Sequence, residues 1–115
     1  DYVRAIRDAF AGLVRMIGVE ADGSVVAAAL VYRIARGRDL VQYWGDGGHE
    51  LERSPMPALV EAVVDHSLRT GARSVDIGIS TDHGEPNLGL IRFKRSVGCR
   101  AEVRLVLALD LEVAR

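Results

Sequence analysis

The side chains best suited to acid–base chemistry in this chain lie together in the short stretch TDHGEP, which carries Asp82, His83 and Glu85. Imidazole titrates close to neutral pH, so His83 could act as a general base or orient one, with the carboxylates as partners. The alternative is that the stretch is polar because turns are commonly built from polar residues. These residues alone leave both interpretations open.

A second candidate is the basic stretch RFKRSVGCR, which gathers four cations without an intervening acid: Arg92, Lys94, Arg95 and Arg100. Lys94 is the only lysine, so fourteen of the fifteen cationic side chains are arginine. Such a cluster can hold a phosphate, a carboxylate or the end of an RNA, or it can be a solvated surface.

Other kinds of site find less support. The three histidines have no metal-ligand spacing, so no metal site is predicted. The single Cys99 excludes an internal disulfide. Tyr43 and Trp44 are adjacent in a predicted strand and therefore point to opposite faces, so only one of them can line a pocket, with Tyr43 as a substrate-binding candidate.

Size and charge restrict the class of protein. The chain has 115 residues, 49% of them hydrophobic, and a net charge of -1, which fits one domain over 1–115 and not a protein that coats nucleic acid or an anionic membrane. No signal peptide or apolar run long enough to span a membrane is present, so we expect a soluble, cytoplasmic protein. Because the first residue is Asp, we also expect the domain to belong to a longer chain.

The elements that must position these residues follow from periodicity. Residues 1–11 predict an amphipathic helix that packs Tyr2, Ile6 and Phe10 on a core. Period-two patterns then predict strands over 13–20, 25–34 and 40–46, with a tight turn at Asp22-Gly23.

The second half begins with a helix from Ser54 to Gly71, followed by a buried strand over 74–80 and the loop 81–86. A short helix over 87–96, with Leu88 and Ile91 inward, and a final strand over 101–111 complete the order. Three meandering strands and a strand-helix-strand crossover predict an α/β fold with a mixed sheet. This order of strands and helices resembles that of the GNAT superfamily.

One feature argues against the phosphate cradle that GNAT enzymes use for acetyl-CoA. The stretch HELERSPMPALV before the long helix lacks glycine, and Pro55 and Pro57 remove two backbone amides that would hold phosphates.

The phrases VDIGIS and NLGLIRFKRSVG resemble the Fem family of aminoacyl transferases and the wider Fem-like GNAT proteins. In that group a strand ending "D-x-G-x-S" precedes an acidic loop and then "GL-x-x-F-K-x-x-x-G". The matching residues are Asp76, Gly78, Ser80, Gly89, Leu90, Phe93, Lys94 and Gly98, and DGSVVAAAL matches the upstream hairpin. The chain departs from the group by having Val97 where an aromatic residue is usual, and by having one such half where Fem enzymes have two.

The resemblance implies an acyl or aminoacyl transferase that moves its group from an activated carrier to a small-molecule or peptide amine. The carrier would be a co-substrate, either aminoacyl-tRNA, bound by its acceptor end, or an acyl thioester such as acetyl-CoA, with no permanently bound cofactor. Lys94 would stabilise the oxyanion or hold the donor, and Asp82, His83 or Glu85 would accept the amine's proton. Substrate would contact Phe93, Ser80, Asn87, Tyr43, Arg92 and Arg95.

Two alternatives remain open at this point. The domain could be a non-catalytic half that binds a second GNAT-like half or forms a homodimer, or it could be an acetyl-CoA-dependent N-acetyltransferase.

Overall fold

A four-stranded mixed sheet forms the centre of the molecule. The computed structural model describes residues 1–48 and 53–112. Its elements, in chain order, are α1 (Tyr2–Ala9), β1 (Val14–Ala21), β2 (Ser24–Ala35), β3 (Arg38–Asp46), α2 (Met56–Arg69), β4 (Ser74–Asp76), β5 (Thr81–Asp82), β6 (Glu85–Pro86) and α3 (Leu88–Ser96).

The strand order confirms the predicted meander and crossover. The sheet runs β1-β2-β3-β4, with antiparallel pairing among the first three strands and β4 parallel to β3. Asp22 and Gly23 both have positive φ, 51° and 81°, as a two-residue hairpin turn that matches the twist of its strands requires. The mixed α/β fold that the sequence predicts is therefore present.

The core lies between the sheet and one face of α2. Ala27, Ala29 and Val31 of β2 are buried there against Leu59 and Val63 of α2. Two of the three β2 residues are alanines, so the helix can approach the sheet closely. This packing fixes α2 over the first three strands and leaves β4 at the margin of the sheet.

A buried ion pair joins the end of α2 to the sheet at the start of β3. Asp39 has no exposed surface, and Arg33 Nε donates to its Oδ1 over 2.5 Å. Arg33 Nη2 also donates to the carbonyl and the hydroxyl oxygen of Thr70, each over 3.1 Å. Burial alone would raise the pKa of Asp39, but the hydrogen bond from Arg33 and the positive charges of Arg33 and Arg15 lower it below its ordinary value.

The predicted packing of the first helix is found only in part, since only Ile6 of the three residues predicted to face the core is half-buried. Asp1 caps α1 as expected, since its Oδ1 accepts from the Val3 amide over 3.0 Å, but no residue of α1 is buried. Tyr2 and Phe10 are 64% and 52% exposed. With eight residues, α1 is too short to cover the face of β1 and β2 beneath it.

The predicted final strand over 101–111 is wrong, because these residues adopt neither helix nor strand and their side chains are exposed. The alternating pattern that predicts a strand is present, but a strand also needs a hydrogen-bonded neighbour. Among the described residues, no strand pairs with this segment.

The buried strand expected over 74–80 is shorter than predicted, and the loop after it has more structure than predicted. Regular pairing covers only Ser74–Asp76, and residues 81–86 form the two-stranded hairpin of β5 and β6. Gly78, with φ of +81°, interrupts the strand in a backbone conformation that residues other than glycine rarely adopt.

Candidate functional site

The most distinctive feature of the sheet is a gap that opens between its two parallel strands. Pairing of β3 with β4 ends at Leu40 and Asp76, although β3 continues to Asp46. Within the described residues, no backbone hydrogen bond joins residues 41–46 to residues 77–80. We call the space between these two segments the strand gap.

A bulge in β3 lies where the gap begins. Leu30 is opposite Tyr43 whereas Val31 is opposite Val41, so Gln42 is an extra residue in β3. A bulge bends its strand and increases the local twist, which turns the end of β3 away from the continuation of β4. Strand-edge amides and carbonyls that a regular sheet would pair therefore border the gap.

The opposite wall is the segment 77–80, which turns at Gly78. The Gly78 amide donates to Asp76 Oδ1 over 2.8 Å, and a Cβ added at Gly78 would lie 3.7 Å from the Val41 carbonyl oxygen. At its far end, the Ser80 carbonyl accepts from the Asn87 amide over 2.9 Å, which connects this wall to the start of α3.

Lys94 holds this wall from the side of α3. Its Nζ donates to the carbonyl oxygens of Gly78 and Ile79 over 3.0 and 2.8 Å, and the residue is only 7% exposed. The ammonium also lies 6.0 Å from the centre of the Trp44 ring. Burial lowers the pKa of Lys94, and the nearby Cys99 acts weakly in the opposite direction. The ammonium is thus engaged by backbone carbonyls and cannot move freely.

Two aromatic rings pack together beside Lys94. Trp44 and Phe93 have ring centres 5.9 Å apart at an interplanar angle of 59°, a tilted arrangement that aromatic pairs favour. Trp44 packs against the core on the α2 side, whereas Tyr43 is 55% exposed. In the register of β3 with β2, Trp44 is opposite Ala29 and Tyr43 opposite Leu30, which confirms that the two rings point to opposite faces.

The acidic candidates lie on the hairpin of β5 and β6, which follows the strand-gap wall. Asp82, His83 and Glu85 are all exposed, and His83 has φ of +50° at the tip of the hairpin. Asn87 Nδ2 donates to Asp82 Oδ2 over 3.1 Å. Asn87 Oδ1 accepts from the Leu90 amide over 3.0 Å, so this side chain caps α3 and also orients Asp82.

The basic cluster does not form one patch. Arg92, Arg95 and Arg100 are exposed, whereas Lys94 turns inward between them. Leu88, predicted to face inward, is 69% exposed. Since the helix begins at Leu88, this side chain lies in its first turn and is not carried onto the core.

The sequence patterns predict Lys94, Phe93 and Ser80 as parts of one site, but they do not predict Trp44 as a neighbour of these residues. A signal was available: Trp44 is the only tryptophan and lies near the end of a strand that precedes a long helix. The sequence patterns also missed Asp76 as a charged group, although the Arg38 guanidinium lies 3.6 Å from its carboxylate and the Arg104 guanidinium contacts the same oxygen.

His49 and the first residues of the glycine-free stretch HELERSPMPALV lie in residues 49–52, which are not among the described residues. Over 1–48 and 53–112, no group of three potential metal ligands is found. No helix in the same ranges combines the length and apolar character needed to cross a membrane.

Comparisons with solved structures identify the fold. Aminoglycoside N-acetyltransferase AAC(6')-Iy in complex with CoA matches with a TM-score of 0.68 and 15% identity, over 88% of this chain and 78% of that one. An aminoglycoside acetyltransferase from an uncultured soil metagenomic sample matches with a TM-score of 0.63 and 17% identity, over 90% and 68% of the two chains.

A third match is ribosomal-protein-alanine N-acetyltransferase from Brucella melitensis biovar Abortus 2308, with a TM-score of 0.59 and 11% identity over 85% of this chain and 72% of that one. No family model and no curated protein sequence matches the chain. At these identities the likeness establishes the GNAT fold, as the sequence predicts, and the activity has to be argued from the site.

Proposed function

We propose that this chain transfers an acyl group from a thioester donor to a primary amine, with the donor bound along the strand gap. The observation that carries this proposal is the end of β3–β4 pairing at Leu40 and Asp76 while β3 continues to Asp46. The structural neighbours, which are N-acetyltransferases and in one case a complex with CoA, support the same chemistry.

The gap suits a donor with an amide-containing arm, such as acetyl-CoA. Unpaired backbone groups at a strand edge bind an extended chain by adding it as a further strand. The amides of the arm would pair with β3, and its thioester would lie near the Trp44 and Phe93 rings. Exposed Arg92 and Arg95 on α3 offer positive charge for the donor's phosphates.

In the reaction, the amine nitrogen attacks the thioester carbonyl carbon. The new C–N bond forms, the C–S bond breaks, the amine loses a proton and the departing thiolate gains one. The amine's proton would be accepted by Asp82, His83 or Glu85, which lie on the hairpin beside the gap. Tyr43, on the open face of the sheet, would contact the acceptor.

The role of Lys94 follows from its two carbonyl partners. The ammonium places a positive charge beside the gap, and it draws the carbonyls of Gly78 and Ile79 toward α3. The adjoining backbone is thereby held in one orientation against the gap, which keeps donor and amine aligned. We therefore assign Lys94 to positioning and to local electrostatic stabilisation, in place of the free oxyanion contact that the sequence suggests.

The resemblance to Fem proteins around Phe93 and Lys94 suggests a different acyl carrier, an aminoacyl-tRNA. An aminoacyl ester on a tRNA end would undergo the same attack by an amine, with a hydroxyl as leaving group. The three exposed arginines near α3 favour any phosphate-bearing carrier, so carriers of both kinds belong in the test.

The purified chain should bind acetyl-CoA with a change in the fluorescence of Trp44, its only tryptophan. Release of free thiol should then depend on an added amine, tested with an aminoglycoside, a peptide α-amine and a simple polyamine, and in parallel with aminoacyl-tRNA. Binding without transfer from any donor would favour the non-catalytic role. If neither carrier binds, the strand gap is not a donor site and the proposal fails.

A further inference from the structure

The segment of residues 101–111 carries an apolar stripe that none of the other described residues covers. Its large apolar residues are between 81% and 94% exposed; they are Val103, Leu105, Val106, Leu107, Leu109 and Leu111. Five of these six occupy odd positions, whereas the even positions hold Glu102, Arg104 and Asp110. As a strand, the segment would therefore have one apolar and one mostly polar face.

The segment begins beside the free edge of the sheet. β4 is the last strand in the order, so one of its sides has no neighbouring strand. The Arg104 guanidinium contacts the carboxylate of Asp76 in β4, and Asp76 is otherwise approached by Arg38 at 3.6 Å. This side-chain contact links the start of the segment to β4.

β4 is too short to pair with the whole segment. It has three residues, whereas the alternating segment has eleven, and the molecule is 62 Å long against 35 and 29 Å in its other dimensions. Residues after Arg104 therefore extend beyond the edge that β4 offers. Exposed strand edges with apolar side chains pair readily with another copy.

We propose that residues 101–111 of two copies pair with each other as antiparallel strands and form the interface of a homodimer. With a two-fold axis at Leu107, two residues face each other across the interface when their numbers add to 214. Leu105 then faces Leu109, Val103 faces Leu111, and Leu107 faces itself. The apolar stripes of the two copies become one continuous surface.

The same register is favoured by charge. Arg104 of one copy faces Asp110 of the other, and the symmetry produces this pair twice. Arg104 would then lie between Asp76 of its own chain and Asp110 of the partner. Glu102 faces Glu112 at the two solvent-exposed ends of the pairing, where water and salt screen their repulsion. Moving the axis by one residue to position 106 would instead place Glu102 opposite Asp110 and lose both favourable pairs.

A cysteine scan tests the proposal, because a residue on the axis meets its own copy. In a Cys99→Ser background, Leu107→Cys should form a disulfide-linked dimer on mild oxidation, since directly facing antiparallel residues have Cα atoms about 4.5–5.5 Å apart. Val103→Cys and Leu111→Cys should each stay uncrosslinked alone and crosslink when mixed. Equal crosslinking at all three positions, or none at 107, would overturn the register.

The oligomeric state tests the interface itself. By light scattering the full chain should have twice the mass of one 12.5 kDa chain. Leu107→Glu should reduce that mass to one chain, while Val25→Glu, an exposed apolar residue of β2, should leave the dimer intact. An unchanged circular dichroism spectrum would show that Leu107→Glu still folds. A monomeric wild-type chain, as expected if the segment folds back on its own sheet, would overturn the proposal.

Discussion

The two ends of the β3–β4 strand pair differ in how their polar groups are satisfied. At the paired end, Asp39, Arg33 and Thr70 satisfy one another and tie α2 to the sheet. At the open end, carbonyls left without a strand partner are held by Lys94. The same two strands thus form a rigid anchor at one end and, from residue 41 of β3 onward, a gap that can receive a ligand.

The difference shows how a sheet can be both stable and accessible. A buried polar group left without a partner destabilises the fold, so most such groups are paired. At the anchor the partners are fixed side chains, and nothing remains for a ligand to bind. At the gap a single flexible side chain satisfies one wall, and the edge of β3 stays available.

The largest expected effect is at the anchor. Asp39→Asn removes a buried carboxylate from its arginine, and we expect a loss of about 3 kcal/mol in the free energy of unfolding, measured by urea denaturation. Asp8→Asn, which removes an exposed carboxylate from its pair with Arg7, should leave the urea midpoint unchanged. Similar midpoints for the two variants would show that the anchor does not hold the fold.

The anchor also predicts a pH dependence. Because the pKa of Asp39 is lower in the folded chain than in the unfolded one, its contribution is present above the ordinary value of about 4 and is lost as the pH falls through the lowered pKa. Stability of the wild-type chain should decline in that acid range, and the decline should be shallower in Asp39→Asn. An equally steep decline in the variant would assign the acid sensitivity to other carboxylates.

The next largest effect is at the open end. Lys94→Met removes two charge-assisted hydrogen bonds, so we expect about 2 kcal/mol less stability and a large loss of transfer activity. Arg95→Met, which changes the exposed neighbour, should preserve stability. If Lys94→Met keeps full activity with a defined donor, the ammonium does not position the gap.

A smaller effect is expected where the gap joins α3. Asn87→Ala removes the helix cap and the contact to Asp82, with an expected loss of about 1 kcal/mol. Asn87→Ser restores a capping oxygen but not the amide that reaches Asp82. If Asn87→Ser recovers both the stability and the activity that Asn87→Ala loses, the helix cap is needed for activity and the contact with Asp82 is not.

The smallest expected effect on stability is at the aromatic pair. Phe93→Leu keeps an apolar side chain but loses the ring contact with Trp44, which should lower stability by about 0.5 kcal/mol. If the donor binds beside these rings, the fluorescence change of Trp44 should require at least several-fold more donor. If Phe93→Leu needs the same donor concentration as the wild-type chain for the fluorescence change, the donor binds elsewhere.

Much of the fold follows from local patterns. The meander, the Asp22-Gly23 turn and α2 are predicted within one or two residues, because period, turn residues and caps all agree there. The pattern fails at 74–80 and 101–111, where strand-like residues end at a glycine turn or lack a partner. Hydrogen bonding between distant segments decides those cases, and periodicity carries no information about it.

The sequence by itself determined the order of elements through β4, the type of sheet and the interest of Lys94 as the only lysine. Only the tertiary structure decided what Lys94 does, because its two carbonyl partners lie 15 and 16 residues earlier in the chain and turn toward it only where Gly78 interrupts the strand. The same holds for Asp39, an ordinary polar residue at the start of a strand in the sequence. Burial beneath α2 and the approach of Arg33 and Thr70 make it the anchor of the fold.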